Sequence, residues 1–379
     1  MTWRYLFVLL IAFLIPVTAV AAINFGADPF IYRWPRPSAV PVPAFASFDR
    51  EVHLNLATHA RARSILLGNS QVQHALSPEH WDVARPTING AAVGMDMSEM
   101  RRVLDRAQTN GPVDAALLGV DFSSTRVIML HKPPVFEDYV VNSDGSTAFR
   151  NFKSYFSFAM LKVSLQRVWN RLSAAPQFYA NDGQALDALY ETIVAASGGS
   201  LRAMKGRLSQ YRQNLEEAAF DYKAEMRAVR DDACRGHTRL EVILTPVHIA
   251  WIETIIAAGR ESDWDNWKRD LAIISKERAD CTFDVWDFNT YNSVTTESLS
   301  NFDPKQGLKY SWDGVHIKRS VGDRILGAIA TQGRPSEDDF GVRLTPDTIE
   351  ATLAAGREAR GRYLAAHSDE MRLIRSFAQ

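Results

Sequence analysis

Five short apolar runs, Ser64–Leu67, Pro86–Asn89, Ala115–Val120, Leu240–Thr245 and Phe283–Trp286, alternate with stretches of helical spacing. Each run is too short for a helix and reads as a strand buried on both faces. "MSEMRRVLDRAQTNG" follows the second run and stops on Asn110-Gly111, and "IAWIETIIAAGRESDWDNWKRDLAIISKERAD" follows the fourth with a break near Gly259. Alternation of β and α at this spacing predicts an α/β fold, a doubly wound parallel sheet of about five strands in the order 2-1-3-4-5. The span from Asp121 to about Asp232 is too long for one crossover. It opens on the irregular "MLHKPPVFEDYVVNSDGSTAF" and then turns helical over Tyr155–Leu172, Gly183–Ser197 and about 201–233, which predicts an inserted helical lid or docking module. A helical tail runs from Thr345 to about Phe377 and is expected to pack outside the sheet.

The N-terminus constrains location. From Tyr5 to Ile23 there is no charged residue, a length just sufficient to cross a hydrocarbon core. Arg4 on the short side predicts a cytoplasmic N-terminus, with the rest of the chain across the inner (cytoplasmic) membrane, in the periplasm. Ala19-Val20-Ala21 is compatible with signal-peptide cleavage, but the apolar run exceeds a usual signal core, which favours an uncleaved single-pass anchor. Pro29, Pro35, Pro37, Pro41 and Pro43 then make a stiff linker. The expected division is 1–28 anchor, 29–45 linker, 46–122 with 233–335 α/β domain, 123–232 insertion and 336–379 tail. A net charge of −1 and the absence of a basic stripe with interleaved aromatics argue against a nucleic-acid partner.

Residues just after the strands of such a sheet share one rim, where ligands bind. In order these are Ser70, Asn89 and Gly94, Asp121, Pro246 and His248, and Asp287 and Asn289. Beyond them, "YSWDGVHIKRSVGDRIL" sets Asp313 three residues before His316. Hydroxyl, imidazole and carboxylate are the parts of a hydrolytic triad: nucleophile, general base and the group that orients the base. Each also has a structural reading. Ser70 could cap the helix that follows it, His316 could be a surface histidine, and Asp313 could be an N-cap. His248 fits a satisfied structural histidine as well as a substrate contact. Trp286, Tyr291, Tyr310 and Trp312 would suit either a sugar-stacking wall or the core.

At these residues the chain resembles the SGNH (GDSL-like) hydrolase family over roughly 60–125 and 240–330. The family's first block is Gly-Asp-Ser, here Gly68-Asn69-Ser70. Its second pairs an Asn with a Gly five residues on, here Asn89 and Gly94, and its last is Asp-x-x-His, here Asp313 to His316. The resemblance implies a flavodoxin-like SGNH-type sheet. It also implies Ser70 as nucleophile, His316 as base, Asp313 as its orienter, and an oxyanion site at the backbone of Ser70 and Gly94. The third block departs: where the family has Gly-x-Asn-Asp, with an Asn donating to the oxyanion, this chain has Asp121. A carboxylate accepts rather than donates, so Asp121→Asn is expected to preserve or raise activity. Asn89, His248 and Trp312 are candidate substrate contacts. The "LTPVH", "WDFNTYN" and "WDGVH" segments also look like those of exported, membrane-anchored SGNH-like proteins of exopolysaccharide O-acetylation.

Those relatives imply an esterase or O-acyltransferase acting on an acylated saccharide or envelope polysaccharide, beside a multi-span membrane acyltransferase, without metal or organic cofactor. The alternative is a non-catalytic, glycan-binding accessory subunit of a polysaccharide-modifying complex. The chain's two cysteines, Cys234 and Cys281, sit just before the fourth and fifth strands. Those strands are neighbours in the expected order, which predicts a disulfide; the alternative is two buried thiols.

Overall fold

The computed structural model describes residues 2–31, 48–125, 155–173, 176–299, 307–331 and 339–378. The proline-rich linker, from residue 32 on, and the irregular stretch at 129–149 lie outside them. The described chain is a mixed α/β structure on a six-stranded, mostly parallel sheet.

In chain order the elements are α1 (Thr2–Ala27), α2 (Asp49–His59), β1 (Ser64–Gly68), α3 (Ser70–Ala75), β2 (Thr87–Asn89), α4 (Met97–Thr109) and β3 (Ala115–Val120). A 3-10 turn at Phe122–Thr125 precedes α5 (Phe158–Leu172), α6 (Asp187–Ala196), α7 (Ser200–Asn214) and α8 (Tyr222–Arg235). Then come β4 (Arg239–Leu244), α9 (Ile249–Ala257), α10 (Glu261–Ile274), β5 (Phe283–Asp287), α11 (Arg319–Ala330), β6 (Val342–Leu344), α12 (Ile349–Ala366) and α13 (Ser368–Ala378).

The sheet order is β2-β1-β3-β4-β5-β6. β1 to β5 are parallel, and β6 runs antiparallel along β5 with Trp286 opposite Arg343. The five expected strands are therefore present and a sixth is added. Alternate residues feed opposite faces. Leu118 and Val242 join a core with Val103, Leu104, Trp267 and Leu271 from α4 and α10. Leu117 and Ile243 join a second with Val72, Val321 and Ile325 from α3 and α11. Burial of both faces is why these strands read as continuous apolar runs.

Three expectations change in detail. The stretch at 201–233 is two helices, α7 and α8, and α8 packs on α4 and α10 as the crossover that leads into β4. The stretch after β1 is helical only to Ala75, because Asn89 takes up the carbonyls at its end. The tail packs mainly on other helices: α12 lies against α10 and β6, and α13 against α7 and α9. Cys234 and Cys281 are disulfide-bonded, with Cα atoms 5.4 Å apart.

α1 is long and apolar enough to cross a membrane, and its side chains from Trp3 to Ile15 are largely exposed.

Candidate active site

Gly68 ends β1, and the chain turns into α3 through Asn69 and Ser70. The turn is tight because Val72 rests on glycines of two strands. A Cβ on Gly68 would lie 2.4 Å from the Val72 side chain, and one on Gly119 only 2.1 Å away. The helix cap is Asn69, whose Oδ1 accepts from the Gln71 N–H at 2.9 Å. Ser70 is thus relieved of capping. Its Oγ lies 2.8 Å from His316 Nε2.

His316 stands at the end of a loop clasped by the Ser311–Ile317 bridge and the Trp312 N–H to His316 carbonyl bond of 2.8 Å. Asp313 holds this loop. One carboxylate oxygen accepts from the backbone N–H groups of Val315 and His316 at 3.1 and 2.9 Å. The other accepts from His316 Nδ1 at 2.8 Å. Because a carboxylate only accepts, Nδ1 carries the proton, which leaves the lone pair of Nε2 facing the serine. α11 begins only at Arg319, so Asp313 caps the loop and not that helix. Burial alone would raise the Asp313 carboxyl. The charge and hydrogen bonds of His316, aided by Arg207 at 3.6 Å, hold it down at about 2.

Ser70, His316 and Gly94 line one cavity of about 200 Å³ at the C-terminal edge of the sheet. Gly94 adopts φ +62°, a conformation few side chains tolerate. Phe122, Val247, Trp251, Ile255 and Trp264 make the apolar wall. Arg207, Gln210 and Asn214 of α7 also line it, which brings part of the helical insertion to the site.

Asp121 also lines this cavity, and its partners are donors. It accepts from Asn69 Nδ2 at 2.7 Å and from the Ser123 N–H at 2.8 Å, and the Ser123 hydroxyl also donates to it. It therefore fixes the residue next to Ser70. The three candidate substrate contacts lie outside the cavity lining. Asn89 donates to the Val72, Gln73 and Leu76 carbonyls at 3.1–3.3 Å and accepts from Ala91, which secures the end of α3. His248 caps α9 through the Ala250 N–H at 3.2 Å and bonds the Glu297 carbonyl at 2.8 Å, so both ring nitrogens face backbone. Burial lowers its basicity. Trp312 is buried and donates through Nε1 to His74 Nε2 at 2.6 Å.

That last contact belongs to a group absent from the sequence reading. Tyr190 of α6 packs between His74 and His316, its ring centre 4.3 and 4.7 Å from theirs. His74 is buried, and burial with the nearby charge of His316 lowers it to about 3. It is neutral, accepting from Trp312 and donating to the Ala185 carbonyl at 3.3 Å. Its position four residues after Ser70, on the same face of the helix, was the one available signal. Among the described residues no cluster of His, Cys, Asp and Glu has the geometry to hold a metal ion.

No family model and no curated protein matches this chain. Among solved structures a distant neighbour is a Streptococcus pneumoniae protein described provisionally as a platelet activating factor. It is 12% identical, covers 76% of this chain and 92% of its own, and superposes with a TM-score of 0.33.

Proposed function

We propose that this protein is a membrane-anchored, extracytoplasmic serine esterase or O-acyltransferase of the SGNH type, acting on an acylated saccharide or envelope polysaccharide. The observation that carries the reading is the continuous relay Ser70 Oγ–His316 Nε2, His316 Nδ1–Asp313, at 2.8 Å for each link.

Ser70 Oγ attacks the acyl carbonyl carbon while its proton passes to His316 Nε2. Asp313 stabilises the imidazolium and remains ionised. The backbone N–H groups of Ser70 and Gly94 receive the oxyanion. The proton on Nε2 is then delivered to the leaving alcohol as the C–O bond breaks. Water, or a sugar hydroxyl, gives its proton back to His316 and resolves the acyl-enzyme. In the transfer direction, a multi-span membrane acyltransferase would supply the acyl group.

Two departures from the SGNH pattern lie side by side. Position 69 carries Asn where the pattern has Asp, and position 121 carries Asp where it has Asn. The two side chains meet at 2.7 Å, Asn69 donating to Asp121. The disulfide suits an oxidising compartment.

The test is turnover of a chromogenic acetyl ester together with labelling by a serine-reactive probe. Ser70→Ala is expected to lower turnover by about four to six orders of magnitude and to abolish labelling. Undiminished turnover, or a wild-type protein that takes no label, rejects the nucleophile and leaves the accessory-subunit reading.

A further inference from the structure

α5 presents three faces. Met160, Val163, Ser164 and Arg167 are buried. Lys162, Gln166 and Asn170 form a polar flank. Phe158, Leu165, Val168, Trp169 and Leu172 fall within about a third of the helix circumference at 100° per residue and stand in the open. Phe158, Trp169 and Leu172 are 79, 69 and 77% exposed. On a helix this short, such a stripe facing water has no structural return.

The inner face of α5 packs against the C-terminal end of α1, and the contacts there are polar. Asn24 Nδ2 donates to the carbonyls of Tyr155 and Ser157 at 2.7 and 3.2 Å. Ser164 Oγ donates to Asn24 Oδ1 at 2.9 Å, and Arg167 donates to the carbonyls of Ala27 and Asp28. A buried arginine and asparagine at the end of a long apolar helix mark the level where that helix leaves hydrocarbon. α5 packs on α1 at this level, so its open stripe stands beside the end of the apolar helix.

From this juxtaposition we infer that α5 is an interfacial helix that lays Phe158, Leu165, Val168, Trp169 and Leu172 into the headgroup–acyl boundary of a lipid bilayer, with Lys162, Gln166 and Asn170 toward water. Tryptophan is suited to that depth, with an apolar body and an N–H to satisfy. α1 then tethers the protein while α5 fixes its tilt. The insertion whose helix α7 walls the catalytic cavity is therefore held at the membrane surface. This inference rests on α1 spanning the membrane.

Both native cysteines are in the disulfide, so one added cysteine takes a fluorescent label selectively. The full chain is reconstituted in phosphatidylcholine–phosphatidylglycerol vesicles. Labels are placed at Leu165→Cys, at Trp169→Cys, at Glu358→Cys on the exposed side of α12, and at Ile11→Cys in α1. Shallow nitroxide lipids are expected to quench the labels at 165 and 169 at least about threefold more than the label at 358, while aqueous iodide does the reverse. Labels at 165 and 169 that behave like the label at 358 overturn the inference. So do labels shielded from both quenchers, because a protein surface then covers the stripe. The label at 11 reports the premise separately: if deep nitroxide lipids do not reach it, the anchor itself is absent.

Discussion

Asn69 settles what Ser70 is free to do. By capping α3 with its own carbonyl oxygen and binding Asp121 with its amide nitrogen, it leaves the serine hydroxyl to the histidine. This reverses the expectation for Asp121→Asn. An asparagine there has one acceptor oxygen to serve the donors of both Asn69 and Ser123, and it turns a second donor toward them. Asp121→Asn is expected to lower kcat/KM on an acetyl ester by about 100-fold through misplacement of the Ser70 turn. Unchanged activity would show that only the shape of the residue matters. Gly119 is the other sensitive position, since a Cβ there strikes Val72 at 2.1 Å. Gly119→Ala should cost about 1–3 kcal/mol in chemical denaturation, the usual scale of overpacking. It should reduce activity further than that loss explains, because the atom displaced belongs to the helix that carries Ser70.

At the scale of elements, the site is a loop and a short helix pressed together by the insertion. The Tyr190 ring of α6 covers His316, and its hydroxyl reaches the Ser70 carbonyl at 3.4 Å. Behind it, His74 must be neutral to accept from Trp312. Its basicity falls from an ordinary 6.5 to about 3 in the folded protein. Between those values the unfolded chain binds a proton that the native one refuses, so stability falls as pH drops from 6.5 toward 3 and is unaffected above 6.5. His74→Gln, which keeps an acceptor, is expected to flatten this part of the stability–pH curve in urea titrations. An identical acid slope in the variant would remove His74 as its cause.

Two long-range ties organise the whole molecule. The disulfide joins the end of α8 to the start of β5 across 47 residues. Cys281→Ser with Cys234→Ser is expected to cost about 3–4 kcal/mol in the chain-entropy view, read as a lower urea midpoint with the Ser70–His316–Asp313 hydrogen bonds retained. Lys268 of α10 and Asp287 of β5 form a buried pair at 2.6 Å, and Lys268 also bonds the Asn289 carbonyl at 2.8 Å. Lys268→Met would strand a buried carboxylate and is expected to cost about 3–5 kcal/mol. Asp287→Asn in the same chain should recover most of that, since it removes the charge and still offers an acceptor to the Asn289 N–H. If the double variant is no more stable than the single one, the pair is not the source of the loss.

The strands were legible because burial on both faces writes itself into consecutive residues: Ala115–Val120 is the same in the sequence reading and in the fold. The break at Gly259, the spacing from Asp313 to His316 and the placement of the two cysteines are likewise local patterns. β6 was not legible, since three residues with partial burial carry no period and only the open edge of β5 makes them a strand. That Asn89, His248 and Trp312 turn away from the cavity into buried contacts was hidden for a related reason. Sequence order puts a residue on the rim, but which way its side chain turns depends on the partner that reaches it. Those partners, α3 for Asn89, Glu297 for His248 and His74 for Trp312, come from elsewhere in the chain. The sequence alone thus determined the alternation of elements and the order of chemical groups along one edge. Tertiary packing decided which of those groups meet, because a hydrogen bond between residues 69 and 121, or 70 and 316, exists only once the sheet has brought distant segments to the same rim.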